Sequence, residues 1–170
     1  MKISSSVSLF FVSAFICFSC TNKTESPFVI PTDAKRLIAG DSVKIWKLAK
    51  RLNNGYRMNM GDCFLSYRVS YFTDGIAKDN NGTQQDCGET FTSVWVLVDN
   101  EKGSYIKLTS DQVPEFFNTK ENYKYFRIIA LSENEMVLRF QHQQFSNKKT
   151  IITDYLVPEA LEIKNRDFHH

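Results

Sequence analysis

An alternation of apolar and polar residues with a period of two most constrains the fold. It begins after Gly40 and continues almost to the C-terminus. In FLSYRVSYF (64–72), large apolar or aromatic residues alternate with Ser and Arg. Successive side chains of a β-strand point to opposite faces, so this period predicts strands that bury one face. The same pattern recurs in VKIWKLAKRL, IAKD, TFTSVWVLV, SYIKL, YKYFRIIAL, MVLRFQHQQF and TIITDYLV, which makes eight strands.

Most connections between these strands have the length and residues of hairpin turns. Examples are Asn53–Gly55, Thr73–Gly75 and Ser132–Glu135. No segment reads as a helix long enough for a parallel crossover, so the strands are expected to run antiparallel, up and down. Eight strands with one apolar face each lose their open edges by closing. The sequence therefore predicts an all-β fold, an eight-stranded antiparallel up-and-down barrel that is either solid or holds one small ligand.

Two segments depart from the strand pattern. Asp33–Gly40 predicts a short N-terminal helical turn, with Thr32 or Asp33 as its cap and Gly40 at its end. Thr109–Glu121 is the longest connection of the domain and carries Phe116 and Phe117.

The N-terminus has the plan of a secretory signal. Lys2 precedes an uncharged, apolar stretch that ends at Ser19, and Cys20 follows. This plan is typical of an export signal rather than of a permanent membrane span. The small residue before Cys20 resembles the lipobox of bacterial lipoproteins, in which the cysteine thiol receives a diacylglycerol, the signal is removed and the new amine is acylated. The alternative is an ordinary cleaved signal in which Cys20 is a spare thiol.

We expect four parts along the chain: a signal peptide (1–19), a lipidated N-terminus and tether (20–36), a barrel domain (37–158) and a C-terminal tail (159–170). The tail has room for a short helix. Acyl chains such as palmitate hold a protein durably on a membrane, because each buried methylene contributes about 0.8 kcal/mol. Asp, the familiar signal for inner-membrane retention, does not follow Cys20. We therefore expect a lipid-anchored protein of the outer membrane, on either its periplasmic or its outer face.

Charge and motifs weigh against other classes of function. A formal net charge of +2 at pH 7 gives no electrostatic case for nucleic acid. The chain has no GxSxG, HExxH, P-loop or GxGxxG motif, and only three His. We expect no enzymatic activity, no metal and no cofactor. Aromatic residues make up 14% of the chain, which suits a barrel with an aromatic-lined interior.

Cysteine usage predicts one disulfide. Of the four cysteines, Cys17 leaves with the signal and Cys20 carries lipid, so Cys63 and Cys87 remain. Two remaining cysteines usually pair in an oxidising compartment. In an up-and-down meander these two precede strands that start at the same end of the barrel, which agrees with a bridge. The alternatives are two buried thiols or half of a metal site.

Several motifs, in their order and spacing, resemble the lipocalin-like lipoproteins of the Bacteroidetes. They are LIAGDSVKIWKL (37–48), Asp62-Cys63 before a strand, FTDG (72–75), Cys87 ahead of SVWVLV, and RIIALSENEMVLRF (127–140). The resemblance covers most of residues 37–157 and implies a calycin-like barrel that binds an apolar small molecule. Gly40 lies six residues before Trp46, whereas true lipocalins place this Gly two residues before the Trp, so the bottom plug is expected to differ.

Five side chains are candidate ligand contacts: Tyr67, Trp95, Phe116, Phe117 and His142. His142 shares the inward phase of its strand, so its imidazole is placed to bind a ligand carboxylate, a haem iron or a proton; the alternative is a rim histidine bonded to water or backbone. A haem lacks a second axial partner in the sequence. Phe116 and Phe117 either cover a pocket mouth or fill the barrel end, and Trp95 either lines the pocket or belongs to the core.

The alternation also predicts which residues point inward: Trp46, Leu48, Tyr67, Val69, Trp95, Ile128, Leu138 and His142. Trp46 is expected to seal the closed end beside the N-terminal turn, although it could instead line a ligand site. The open mouth is then expected at the opposite end, bordered by Phe116 and Phe117. Arg68 and Arg139 occupy the polar phase and are expected to be solvated, as are His169 and His170 at the C-terminus.

Three functions compete. The first is a membrane-anchored binding protein for a small apolar or amphipathic molecule, and its mark is a hollow, aromatic-lined barrel. The second is an accessory module with a solid barrel that docks on another protein of the cell envelope. The third is an enzyme, for which the sequence offers no catalytic constellation.

Lipidation of Cys20 yields the first testable prediction. Replacing Cys20 by Ala removes the only thiol that the lipobox places for acylation, so the exported chain is expected to leave the membrane fraction. Intact-mass analysis of the membrane-extracted wild type should show an acylated chain that begins at Cys20. Cys17→Ser is the matched control and should stay membrane-bound. A soluble wild-type product that starts elsewhere, with Cys20 unmodified, contradicts the prediction.

Overall fold

The structure is a computed structural model that describes residues 28–143 and 148–168. Within these residues the strands are β1 (Val43–Asn53), β2 (Tyr56–Arg57), β3 (Arg68–Phe72), β4 (Ile76–Asp79), β5 (Thr92–Asn100), β6 (Gly103–Thr109), β7 (Tyr123–Leu131), β8 (Met136–Gln143) and β9 (Lys149–Pro158). The helices are α1 (Ala34–Ala39), α2 (Asp62–Ser66) and α3 (Val113–Phe117), with a 3-10 turn at Asn81–Thr83.

The strands form one antiparallel sheet that closes on itself. They follow one another in the order β2, β1, β3 and then β4 to β9, and β1 also pairs with β9. The two-residue β2 pairs only with the end of β1, so the barrel wall has eight strands. The predicted eight-stranded up-and-down barrel is confirmed. The register with β9 shifts between Leu48 and Lys50, which marks a β-bulge in β1.

Helix α1 and Trp46 seal one end of the barrel. Trp46 is fully buried, and its indole Nε1–H donates to the Ile38 carbonyl over 2.8 Å. Gly40 ends α1 with a φ of 65°, a left-handed value that glycine adopts without strain. The helical turn and the core position of Trp46 are confirmed. Asp33 occupies the N-cap position, one of the two predicted, but its carboxylate accepts a hydrogen bond from Arg36 and none from the helix backbone.

The inward phase of the strands agrees with the prediction. Six of the eight named residues are less than a tenth exposed: Trp46, Leu48, Val69, Trp95, Ile128 and Leu138. Tyr67 and His142 are half-buried, near the other end of the barrel from α1. The outward phase of β5 stays exposed although it is apolar, since Val94 and Val96 are 50% and 47% exposed.

The strand predicted over residues 64–72 is correct only in its second half. β3 begins at Arg68, and the residues before it form α2. The N–H groups of Phe64 and Leu65 donate to the Gly61 carbonyl, which starts the helix. Helical spacing of three residues places Phe64 and Tyr67 on the same side of this segment, and both line the interior cavity.

Polar side chains hold the C-terminal tail over the seam where β1 separates from β3. Arg68, expected on a solvated face, is partly buried and pairs with Glu159 over 2.7 Å. The Arg166 guanidinium donates to the carbonyls of Leu48 and Leu65, so it bridges β1 to α2. The described part of the tail, residues 159–168, contains turns and no helix, although the sequence left room for a short one. Its arginine bonds, rather than helical hydrogen bonds, fix its path.

Cys63 and Cys87 form the predicted disulfide, with their Cα atoms 5.3 Å apart. The bridge ties α2 to the connection between β4 and β5, at the barrel end opposite α1. Within the described residues, no helix has the length and apolar character needed to cross a membrane. The predicted signal peptide, Cys17, Cys20, His169 and His170 lie outside the described residues.

Removal of this disulfide is expected to destabilise the fold. The bridge joins residues that are 24 positions apart. Closing a loop of that length reduces the conformational entropy of the unfolded chain, which stabilises the folded state by about 3 kcal/mol. We expect Cys63→Ala/Cys87→Ala to lower the free energy of unfolding by about this amount in urea titrations. The wild type should release no free thiol before reduction. Two titratable thiols in the unreduced wild type would contradict the bridge.

Candidate functional site

The barrel end opposite α1 opens into a cavity with two parts. An inner chamber of about 280 Å³ lies inside the barrel, and an outer vestibule of about 990 Å³ lies above it, open to solvent. The two parts share a neck formed by Arg51, Phe64, Phe116, Phe117 and Phe140. The barrel is therefore packed solid near α1 and hollow near its mouth.

The inner chamber has an apolar wall and a polar wall. The apolar wall comes from the strands β6 to β9 and consists of Leu108, Phe126, Leu138, Phe140 and Leu156. On the opposite wall, Tyr71 pairs with Ala77, and Ala77 pairs with Ser93, across β3, β4 and β5. Asp79 lies on the same face of β4, one step nearer the mouth. The chamber exists because the short side chains of Ala77 and Ser93 leave space that larger residues would fill.

A buried ion pair crosses the β1–β9 seam at the neck. Arg51 and Asp154 are direct cross-strand partners, and two guanidinium nitrogens donate to the two carboxylate oxygens over 2.6 Å each. The guanidinium also lies 4.8 Å from the centre of the Phe64 ring. Burial alone would lower the pKa of Arg51, but the hydrogen bonds and charge of Asp154 raise it. The arginine is therefore held permanently charged and neutralised by its partner.

Two tyrosines, Tyr67 and Tyr71, line the chamber. Tyr71 is 3% exposed and packs edge-on against Trp95 at 5.5 Å. Burial raises the pKa of Tyr71, and the charge of Asp154 raises it further. Burial also raises the pKa of Tyr67, with the negative charge of Asp79 as the next cause. Both tyrosines therefore remain neutral and act as hydrogen-bonding groups.

Asp79 is the second buried carboxylate of the chamber. It is 8% exposed, and its Oδ1 accepts hydrogen bonds from the backbone N–H groups of Asn81 and Phe91, each over 3.1 Å. Burial raises the pKa of Asp79, and these two backbone donors oppose that rise. Nearby, the Ser93 hydroxyl is buried and has no hydrogen-bond partner within residues 28–143 and 148–168.

Aromatic contacts fix α3 at the neck. Phe91 lies 5.2 Å from Phe116 and 5.7 Å from Phe117, measured between ring centres. Phe117 also contacts Phe126 of the chamber wall at 5.9 Å. These rings neither fill the barrel nor cover it as a loose lid, because they pack against the wall and narrow its entrance.

His142 lies at the vestibule rather than inside the chamber. Burial lowers the pKa of its imidazole, and the positive charges of Lys124 and Arg51 lower it further. The side chain is therefore a neutral rim group. Within the described part of the chain, no three His, Cys, Asp or Glu side chains are grouped so that they could hold a metal ion.

The structure places the sequence candidates in different positions. Tyr67, Phe116 and Phe117 line the inner chamber, and the two phenylalanines also line the vestibule, together with His142. Trp95 lines neither part of the cavity. It is a core residue that packs against Tyr71, a residue of the chamber wall. Its indole N–H donates to the Phe72 carbonyl over 3.0 Å.

Sequence reasoning missed the polar groups of the cavity. Arg51 reads as part of the outer face of β1 if alternation continues, but the bulge after Leu48 shifts the phase by one residue and turns Arg51 inward. Asp79 and Ser93 lie on the inward phase of β4 and β5, so the alternation itself places both of them inside the barrel. A search for polar residues on an otherwise apolar phase is the signal that would have found them.

Residues 43–138 match the model of a family described as a lipocalin-like domain. No curated protein matches the chain significantly. Among solved structures, a lipocalin-like protein from Bacteroides uniformis matches with 16% sequence identity over 69% of this chain and 98% of that chain, at a TM-score of 0.45.

The buried Tyr71 hydroxyl predicts a loss of stability at high pH. Its pKa in the folded protein lies above the unfolded value of about 10, so only the unfolded chain releases the proton near that pH. Stability is therefore full below about pH 10 and falls above it, by up to about 1.4 kcal/mol per pH unit for this group.

Tyr71→Phe should make this alkaline decline of the unfolding free energy less steep in urea titrations between about pH 9 and pH 11. Tyr56→Phe is the control, because Tyr56 is 81% exposed and should leave the slope unchanged. Equal slopes for Tyr71→Phe and the wild type would show that burial does not hold the proton on Tyr71.

Proposed function

The chain belongs to the lipocalin-like family, and from this premise we propose that its barrel binds one small apolar or amphipathic molecule. The observation that carries the proposal is the inner chamber of about 280 Å³ behind an aromatic neck. Ligand pockets usually measure about 300 to 1,000 Å³, so the chamber and the adjoining part of the vestibule suit a compact ligand. Apolar and aromatic walls with a few polar groups are the common composition of such pockets.

The hollow mouth favours binding over the alternative of a docking module with a solid barrel. A solid barrel needs large side chains throughout its inward phase. Here Ala77 and Ser93 occupy two adjacent inward positions, and the space beside them stays open. An accessory role beside another envelope protein is retained as the alternative, to be preferred if no small molecule binds.

We propose that the role is not enzymatic. The residues of the cavity are arranged for recognition, because the charge of Arg51 is neutralised by Asp154. Within residues 28–143 and 148–168, neither a carboxylate nor a hydroxyl forms a hydrogen bond with the His142 imidazole. A general base oriented by such a partner would be the usual sign of catalysis.

Lipid attachment at Cys20 is part of the same proposal, with the outer membrane as the location. The position of Phe28 supports a particular orientation, since its carbonyl accepts a hydrogen bond from Ser104 at the closed end of the barrel. The chain between Cys20 and Phe28 spans at most about 30 Å. The closed end would therefore face the membrane, and the mouth would exchange its ligand with the aqueous compartment.

A cavity-filling substitution tests the proposed pocket. Ala77→Leu places three more carbon atoms in the chamber, so it should abolish the fluorescence increase of a neutral apolar dye such as N-phenylnaphthylamine. Val96→Leu adds bulk on the outer face of the barrel and should leave binding unchanged. Circular dichroism should confirm that both variants are folded. If the wild type binds neither this dye nor any of a panel of fatty acids and retinoids, the binding proposal fails and the docking module replaces it.

A further inference from the structure

The inner chamber has a buried hydroxyl without a hydrogen-bond partner and a buried carboxylate without an ion-pair partner among the described residues. Ser93 is 4% exposed, and its hydroxyl has no hydrogen-bond partner among the described residues. Asp79 is 8% exposed, and its carboxylate accepts hydrogen bonds from the backbone N–H groups of Asn81 and Phe91 and from the Asn81 side-chain amide. The ion pairs found among the described residues do not include it. Buried polar groups are almost always satisfied, so unpaired ones need an explanation.

These groups belong to one surface. Ser93 and Tyr71 flank Ala77 in a row across three strands, and Asp79 lies one step nearer the mouth. The methyl group of Ala77 leaves a gap between the two hydroxyl-bearing neighbours. Tyr67 completes the surface from the end of α2, and all four polar side chains line the same chamber. We call this surface, formed by Tyr67, Tyr71, Asp79 and Ser93, the polar wall.

The chamber holds one carboxylate that no ion pair among the described residues neutralises. Arg51 brings a positive charge to the neck, but both oxygens of Asp154 already bind it. Lys78 lies on the opposite phase of β4 from Asp79 and is exposed. It contributes to the chamber lining, but the ion pairs found among the described residues do not join it to Asp79. Asp79 is therefore the carboxylate whose charge no bound cation offsets within the described chamber.

A carboxylate head group fits this chamber poorly in either orientation. Placed at the polar wall, it would stand beside Asp79, and two like charges in a low-dielectric site cannot both stay ionised. Placed at the vestibule near Lys124 and His142, it would lay its methylene tail against Ser93 and Asp79. That arrangement leaves the Ser93 hydroxyl without a hydrogen-bond partner and the Asp79 charge without a counterion, and it strips both groups of water.

An ammonium group fits every observation. It carries three N–H donors and one positive charge. The Asp79 carboxylate accepts one donor and offsets the charge, and the hydroxyl oxygens of Ser93 and Tyr71 accept the others. An alcohol head offers a single donor and satisfies the wall in part. The apolar remainder of the ligand then packs against the wall of Leu and Phe side chains.

We propose that the polar wall is the head-group subsite of this pocket, and that its ligand is an amphiphile whose head donates hydrogen bonds and has no negative charge, a primary ammonium above all. The inference rests on the proposed function, because it names the ligand class of the same cavity. It departs from the expectation of a fatty acid held by His142.

Three probes that differ only in their head group test this subsite: decylamine, decanol and decanoate. They are titrated calorimetrically at neutral pH into the exported chain carrying Cys20→Ala, which lacks acyl chains that would compete. We expect decylamine to bind at least about tenfold more tightly than decanoate, with decanol between them. Decanoate binding as tightly as decylamine overturns the subsite and leaves the proposed function standing. If none of the three binds, the subsite and the binding function both fail.

Substitutions in the polar wall test whether its residues cause the preference for decylamine. Asp79→Asn keeps an acceptor oxygen for the two backbone donors and removes the charge. It should therefore weaken the binding of decylamine by about tenfold and the binding of decanol by less than about twofold. Ser93→Ala, which changes one atom, should weaken both probes. Tyr123→Phe is the control on the outer face and should change neither. Unchanged decylamine binding in both Asp79→Asn and Ser93→Ala overturns the proposal, and Ser93→Ala keeps it testable if Asp79→Asn does not fold.

Discussion

The pairing of β1 with β9 is the constraint on which the cavity depends. A sheet of eight strands that stays open exposes two edges, and closure removes both of them. Closure of this barrel requires β1 to pair with two strands. Its first half pairs with β3, and its pairing with β9 continues to Asn53. Because β1 leaves β3 after Lys47, a gap opens in the upper wall. The disulfide-tied α2 and the Arg166 guanidinium cover that gap.

The same strand decides where the barrel is hollow. Below the bulge, Trp46 and Leu48 of β1 meet Ile128 and Met136, and these large side chains fill the interior. Above the bulge, the phase shift brings Arg51 inward, and its partner Asp154 holds it across the seam. Opposite them the wall carries short residues, so the space is not filled. The bulge thus separates a packed half of the barrel from a half that can receive a molecule.

Sequence alternation predicted the strands that bury one face. It failed at the bulge in β1, at the short helix α2 and at the polar residues of the cavity. The core positions of Trp46 and Leu138 follow from period and turns alone. The phase of Arg51 does not, because one inserted residue reverses the inward and outward faces without changing the composition of the strand. α2 escaped detection because its five residues are too few to show a helical period beside the alternation that follows them. The polar wall escaped because Ser93 stands alone among valines and a tryptophan.

The Arg51–Asp154 pair is best understood through its effect on the neighbouring charges. A buried ion pair adds little net stability, because the cost of removing both charges from water offsets most of their attraction. Its consequence for the cavity is larger, since it neutralises the arginine at the neck that would otherwise attract anions. Asp79 is then the chamber carboxylate that has no ion-pair partner among the described residues. For the proposed ligand class, the electrostatic preference of the pocket comes from which carboxylate the arginine pairs with rather than from the number of charges.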